Sequence, residues 1–386
     1  MELNINDQKK IIALYLPQFH TIPENDKWWG KGFTEWTNTR KAKPLFDGHY
    51  QPKTPLNQNY YDLSDVTVME KQAALAKKYG VFGFCYYHYW FKGGKKLLEK
   101  PVENMLENKK VDIPFCLCWA NENWSRNWDG GNREIIMEQD YGGQKDWEKH
   151  FQYLLDFFKD ERYITWNGSP ILVVYKPEEI EQFNKMRRCF EKLAVEAGFP
   201  GLIIVRQFPT SYFNKSENNL NIDYTVKFEP VMASYTEAYK NYDGMNSKVK
   251  AVFKNFLKAV HSEKVWKSLK KMKANIKPVK KELIIEDYDE TWNVIINKEP
   301  YGEKLINGAF TAWDNTARNV CGKVYHGSTP EKFEGYMKEL LKKDSALDLI
   351  FINAWNEWAE GAYLEPDEKY GYSYLEALKR AIDSAV

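Results

Sequence analysis

Two glutamates three residues apart, Glu357 and Glu360, stand between Trp355, Trp358 and Gly361 in the run DLIFINAWNEWAEGAYLEPD, from Asp348 to Asp367. Two carboxylates aimed into one pocket provide an acid and a base for making or breaking a glycosidic bond. Indole walls suit the apolar faces of sugar rings. The plainer reading is a helix N-terminus with acidic first-turn residues and core tryptophans. Further candidates gather around the pair. Glu122 lies in WANENW with Trp119, Asn121, Asn123 and Trp124, and Glu35 and Trp36 lie in GFTEWTN. Asp314 and Arg318, in WDNTAR, read equally as an ion pair beneath the pocket or as a clamp on sugar hydroxyls. Tyr15, Tyr86, Tyr87, Tyr89, Trp90, Trp119, Trp124 and Trp355 are candidates for stacking on a sugar, although alternate residues of a strand must face away from the site. His88 can donate a hydrogen bond to substrate, and Asn356 adjoins the glutamate pair.

Other chemistries lack their residues. The sequence holds no G-x-S-x-G elbow, P-loop, H-E-x-x-H or strand-following G-x-G-x-x-G, and its six histidines are scattered. No metal and no cofactor are expected. Cys116 and Cys118 sit two apart without a second ligand cluster, and the five cysteines read as free thiols in a reducing compartment. The formal net charge of +1 gives no global reason to expect nucleic acid as a partner. The 14 Trp, 25 Tyr and 21 Phe exceed the needs of a core and favour flat, hydroxylated ligands. The first lysines precede only a short apolar run with no small-residue cleavage site, and no run approaches the roughly 20 apolar residues of a membrane helix. A cytoplasmic protein is therefore expected.

The elements that would position these residues alternate. Strands are expected at Ile11–Leu16, Val81–Tyr87, Phe115–Trp119, Ile171–Tyr175, Leu202–Val205, Tyr224–Phe228, Gly308–Ala312 and Leu349–Ile352. Helices are expected after Asp65, near Lys100–Asn108, and at Lys145–Phe158, Glu178–Ala197, Pro330–Lys342 and Ser373–Ser384. Nearly every strand runs into polar and aromatic residues. That grammar predicts one (β/α)8 TIM barrel over 1–386, with long βα loops and its site on the C-terminal strand ends. The long Gln18–Asn59 loop is assigned to the site's rim. A lysine-rich helical excursion at about 232–300 separates the sixth and seventh strands, and across Lys248–Lys281 its only acid is Glu263. That arm reads as a solvated helix or as a docking surface for a lipid-linked glycan, a nucleotide or a membrane surface.

The runs ALYLPQFH, GFTEWTN, CYYHYWF, CWANENWSRNWDG, AWDNTAR and FINAWNEWAEGAYLEPD together resemble the WbsX-type proteins, a group related to glycoside hydrolase family 99 and associated with bacterial surface-polysaccharide genes. The resemblance covers nearly the whole chain. It implies a (β/α)8 barrel acting with retention on α-glycosidic, in family 99 α-mannosidic, linkages of an oligosaccharide or polysaccharide. It further implies that Glu357 assists the substrate's own 2-hydroxyl to attack the anomeric carbon, giving an anhydro-sugar, and that Glu360 is the acid/base at the leaving oxygen. Ala359 stands where family 99 hydrolases carry a histidine. WbsX-type proteins have also been labelled glycosyltransferases of lipopolysaccharide or capsule biosynthesis. A transferase would need a site for a nucleotide or lipid diphosphate, and a non-catalytic glycan-binding barrel would need neither glutamate.

Overall fold

The computed structural model describes residues 1, 9–125, 135–207, 220–236, 282–299 and 304–385. Short runs rich in Ile, Val, Leu, Phe and Cys, apolar on both faces, form strands that must be covered on both sides. They are β1 (Lys10–Tyr15), β2 (Val81–Phe91), β3 (Phe115–Trp119), β4 (Ser169–Val174), β5 (Ile203–Arg206), β6 (Tyr224–Val226), β7 (Leu305–Phe310) and β8 (Leu349–Asn353). Each pairs in parallel with the next, and β1 pairs with both β2 and β8, so the sheet closes on itself. The expected (β/α)8 barrel is therefore the fold. Closure leaves no strand edge and brings all eight C-terminal ends to one face.

Helices α1 (Val66–Lys78), α2 (Lys100–Glu107), α3 (Gln144–Phe158), α4 (Phe183–Glu196), α5 (Tyr288–Asn297), α6 (Pro330–Lys342) and α7 (Ser373–Asp383) cover the outside. Their starts follow local chemistry. Asp65 caps α1 by accepting from Thr67 N–H, and Thr329 caps α6 with Pro330 in its first turn. Helix α5 lies within the stretch expected as an excursion, and it buries Tyr288 and Trp292 against the outer layer, with Trp292 stacked on Tyr336 of α6. The Lys248–Lys281 arm lies outside the described residues. Among the described residues no helix is long and apolar enough to cross a membrane.

Several boundaries move. Strand β2 continues to Phe91, because a short strand at Lys95–Leu97 turns back and pairs with its end. Strand β7 starts three residues before the expected Gly308, and α4 starts at Phe183 after a separate turn at Pro177–Glu179. The long first loop is ordered by two short helices, Pro23–Trp29 and Glu35–Lys41. Gly308 marks the tightest approach in the barrel wall: a Cβ there would lie 1.7 Å from the carbonyl oxygen of Lys227.

Candidate active site

Strand β8 ends in a turn that is tied down before it presents anything. Trp355 N–H donates to the Leu14 carbonyl at the end of β1. Asn356 then grips Leu16, two residues further on: its Oδ1 accepts from Leu16 N–H at 2.7 Å and its Nδ2 donates to Leu16 O at 3.0 Å. A single helical turn follows at Trp358–Glu360, stopped by Gly361 with φ of +60°. The missing Cβ of Gly361 would sit 3.0 Å from that of Asp314, so the turn is backed directly onto the residues after β7.

This fixed turn delivers Glu357 and Glu360 to Arg318. Arg318 Nη1 bonds Glu360 Oε1, and Nη2 reaches Glu35 Oε2 at 3.0 Å and Glu357 Oε2 at 3.4 Å; Nε also donates to Glu35 Oε2, at 3.3 Å. Three carboxylates from the loop after β1 and the turn after β8 thus converge on one guanidinium supplied from the loop after β7. Glu35 is completely buried, and its Oε1 has no hydrogen-bond partner among the described residues. One positive group cannot neutralise three carboxylates, so the cluster is negative unless it holds protons. Burial, and then the charge of Glu360, push Glu357 well above the usual carboxylate range against the pull of Arg318. Burial raises Glu360 as well, again opposed by Arg318. Burial alone would lower Arg318, but the charges of Glu35, Glu360 and Glu357 outweigh it and hold the guanidinium protonated. A proton-retaining carboxyl beside an ionised one is an acid/base arrangement.

Asp314 and Arg318 are not an ion pair. Asp314 Oδ2 accepts from His49 Nε2 at 2.8 Å and Gln51 Nε2 at 2.7 Å, and its Oδ1 accepts from Thr316 N–H and hydroxyl. His49 Nδ1 accepts from Leu45 N–H at 3.0 Å, which leaves the ring proton on Nε2 facing Asp314. Asp314 is therefore the strut behind Gly361, held by the first loop.

The aromatic candidates divide by strand parity. Along β2, Tyr89 turns to the site: its hydroxyl accepts from Gln18 Nε2, its ring meets Trp124 at 5.2 Å, and its proton feels the charges of Glu357, Arg318 and Glu35. Tyr87 shares that face and accepts from Gln207 Nε2. His88 and Trp90 point the other way, into α3, where His88 and His150 share a hydrogen bond between their Nε2 atoms and Trp90 stacks on His150 at 4.6 Å. Burial, then the charge of Lys96, push His88 down to about 3, so it is a neutral core histidine and not a substrate donor. Trp119 meets the same His150 edge-on. Tyr15 donates to Gln72 of α1, Trp355 is fully buried 5.1 Å from Phe84, and Trp36 packs against Trp358 beneath the turn. These expected substrate contacts are packing instead: strand parity sends Tyr15 to the helical layer, and Trp36 and Trp355, which lie outside the strands, pack against Trp358 and Phe84.

The loop after β3 stands to one side. Asn121 exchanges two hydrogen bonds with the backbone of Lys176, Glu122 pairs with the Lys176 ammonium, and Asn123 Oδ1 accepts from Gln139 N–H. The charges of Glu122 and Glu360 both act on the Tyr175 hydroxyl. Arg126 and Trp128, farther along this loop, lie outside the described residues. Among the described residues no group of three or more His, Cys, Asp or Glu could hold a metal ion, and all five cysteines are free.

Sequence reasoning passed over His49 and Gln51, which hold the site's wall, and gave Glu229, after β6, no role. Tyr87, a stacking candidate, shares the face of Tyr89. His49 and Gln51 gave no local signal, because their partner is 265 and 263 residues away.

Comparison with known proteins follows this geometry. Residues 11–378 match the model of the family described as Glycosyltransferase WbsX. The uncharacterized proteins WxcX of two Xanthomonas campestris pv. campestris strains are each 32% identical over 381 residues, which is 97% of this chain and 50% of theirs. The chain thus spans about half the length of the curated relatives it matches. A glycoside hydrolase family 99 endo-α-mannosidase from Bacteroides thetaiotaomicron superposes with a TM-score of 0.56 at 13% identity, covering 99% of this chain and 98% of that one. A glycoside hydrolase-like protein gives 0.53 at 12% identity, covering 98% and 95%. At those identities the likeness is one of fold.

Proposed function

The chain belongs to the WbsX glycosyltransferase family, and from that premise we propose that it is a carbohydrate-active enzyme that cleaves or transfers at an α-glycosidic linkage of a surface polysaccharide or its precursor. The observation that carries this reading is the convergence of Glu35, Glu357 and Glu360 on Arg318 at the C-terminal face of the barrel. Glu357 takes the proton of the substrate's 2-hydroxyl as that oxygen closes on the anomeric carbon. Glu360 protonates the departing oxygen, then takes a proton from the water or acceptor hydroxyl that opens the anhydro-sugar. No carboxylate has to cross to the far ring face, which accords with both sitting on one turn and departs from the usual nucleophilic scheme. Glu357 must be ionised to act as the base, which burial and the charge of Glu360 oppose; Glu360 must hold a proton to act as the acid, whereas Arg318 favours its ionised form. Substrate hydroxyls that draw the guanidinium toward Glu35 would release it for that role.

The test pairs Glu357→Gln and Glu360→Gln with the unmodified protein on two α-mannosides, one with an activated aryl leaving group and one a mannobiose, with and without sugar nucleotides. Loss of general acid–base assistance is worth about 10²–10⁴-fold. Glu360→Gln is expected to lose the mannobiose and retain most of the aryl glycoside, while Glu357→Gln loses both. The opposite pattern exchanges the two roles. The family's description as glycosyltransferases supports one second reading, in which a sugar nucleotide or lipid-linked sugar is the donor. Turnover only in the presence of such a donor would establish it.

A further inference from the structure

The loop that carries the glutamate pair closes on itself, since Trp355 O accepts from Leu364 N–H at 3.0 Å and from Glu365 N–H at 3.2 Å. At that closure stands a third glutamate of the same loop, one with no part in the acid–base steps above. Glu365 Oε2 accepts from the Trp358 indole N–H and from the Tyr61 hydroxyl, each at 2.7 Å, and its Oε1 accepts from Gln72 Nε2 at 2.7 Å. The network extends one step further on each side. Gln72 Oε1 accepts from the Tyr15 hydroxyl at 2.6 Å, and the Tyr61 hydroxyl accepts from Asn356 Nδ2 at 3.4 Å. One buried side chain thus joins the turn after β8, the loop after β1 and helix α1.

Trp358 is the member of this network that reaches the chemistry. It stands between Glu357 and Glu360, is fully buried, and stacks on Tyr363 with ring centres 3.9 Å apart, so in a close-packed interior its ring cannot swing without carrying the turn. Its indole N–H can only donate, and Glu365 is the acceptor. Burial raises Glu365 to about 7 against the pull of Trp358, Tyr61 and Gln72, and among the described residues no lysine, arginine or histidine forms an ion pair with it. An apolar side chain would pack in this place without that desolvation, but it would leave the indole unpaired and the turn untied. We propose that Glu365 is a positioning residue: by anchoring Trp358 it holds the Glu357 and Glu360 carboxylates in register with Arg318. The effect on turnover rests on the functional reading above; the coupling of Glu365 to the Arg318 cluster does not.

The test compares the unmodified protein with Glu365→Gln, Glu365→Leu and Trp358→Phe. Glu365→Gln keeps an acceptor for the indole, because Gln72 and Tyr15 can reverse their donor direction to meet the new amide, whereas the other two variants break the link. Trp358→Phe retains an aromatic ring against Tyr363, so it is expected to fold even where Glu365→Leu does not. The readouts are the NMR resonance of Arg318 Nε–H, identified by its loss in Arg318→Lys, and kcat and KM on the aryl α-mannoside and the mannobiose. The Arg318 resonance is expected to move in Glu365→Leu and Trp358→Phe and to stay in place in Glu365→Gln. In the same two variants kcat is expected to fall about 10²-fold with KM little changed, the effect of a displacement of about 1 Å. A structural role alone would lower the melting temperature of Trp358→Phe and move neither readout. The proposal is overturned if Trp358→Phe leaves the resonance or kcat as it was, or if Glu365→Gln loses as much kcat as Trp358→Phe. A resonance that moves as expected in a protein that turns over no glycoside would leave Glu365 as the anchor of the carboxylate cluster and remove the enzymatic reading.

Discussion

At the scale of single residues, Arg318 carries the most consequence, because three carboxylates share it, two of them buried. Replacing it with methionine removes the one positive charge and leaves the acids uncompensated, a change of about 3–5 kcal/mol for a buried pair. Both glutamates would then titrate higher, since Arg318 now lowers each of them. Arg318→Met is therefore expected to be less destabilised at pH 5, where the carboxyls can protonate, than at pH 8. Any residual activity should have its acidic limb moved to higher pH, and denaturant unfolding with a pH–rate profile checks both. Glu229 offers an independent test. Burial raises it from 4.5 to about 8, against Ala233 N–H and Lys227. A carboxyl raised on folding binds its proton more tightly in the native state, so it contributes stability below about pH 4.5 that is lost as pH rises through 8. Glu229→Gln should flatten that decline between pH 5 and 8 in urea titrations.

At the scale of elements, two glycines hold the geometry that makes the site. Gly361→Ala would place a side chain in the left-handed region at a cost of about 1–2 kcal/mol, with its Cβ pressed on Asp314. Its expected signature is a fall in kcat/KM far larger than its small change in Tm, because Glu360 is displaced while the barrel persists. Gly308→Ala meets backbone at 1.7 Å and should fail by the opposite route, with little soluble folded protein by circular dichroism. The sequence's legibility also divides at this scale. All eight strands were readable because each apolar run is short and bounded by turn residues. The paired glutamates were readable because a strand gave way abruptly to Trp, Asn and Glu. Arg318 was legible as a candidate, but its partners were not, since Glu35 lies 283 positions away and only closure of the barrel joins them. His88, Trp90 and Trp119 misled because a motif dense in aromatics does not state which face of the strand each residue takes.

At the scale of the whole molecule, the balance of 55 basic and 54 acidic side chains leaves no overall field for a polyanion. No binding to double- or single-stranded DNA is therefore expected at physiological salt, measured by fluorescence anisotropy. The fold class was readable from alternation alone.

The stitching of Asn356 to Leu16 spans 340 residues, and it has a consequence for how the protein comes into being. A nascent chain carries its first strand and the Glu35 loop out of the ribosome long before the glutamate turn that completes them, whereas Arg318 precedes Glu357 by only 39 residues. The barrel stays an open sheet, and the Glu357–Glu360 turn does not meet Arg318 and Glu35, until β8 has emerged and slotted in beside β1. Such a distant pairing is slow to form, so the carboxylate cluster is assembled in one late step of the barrel's folding.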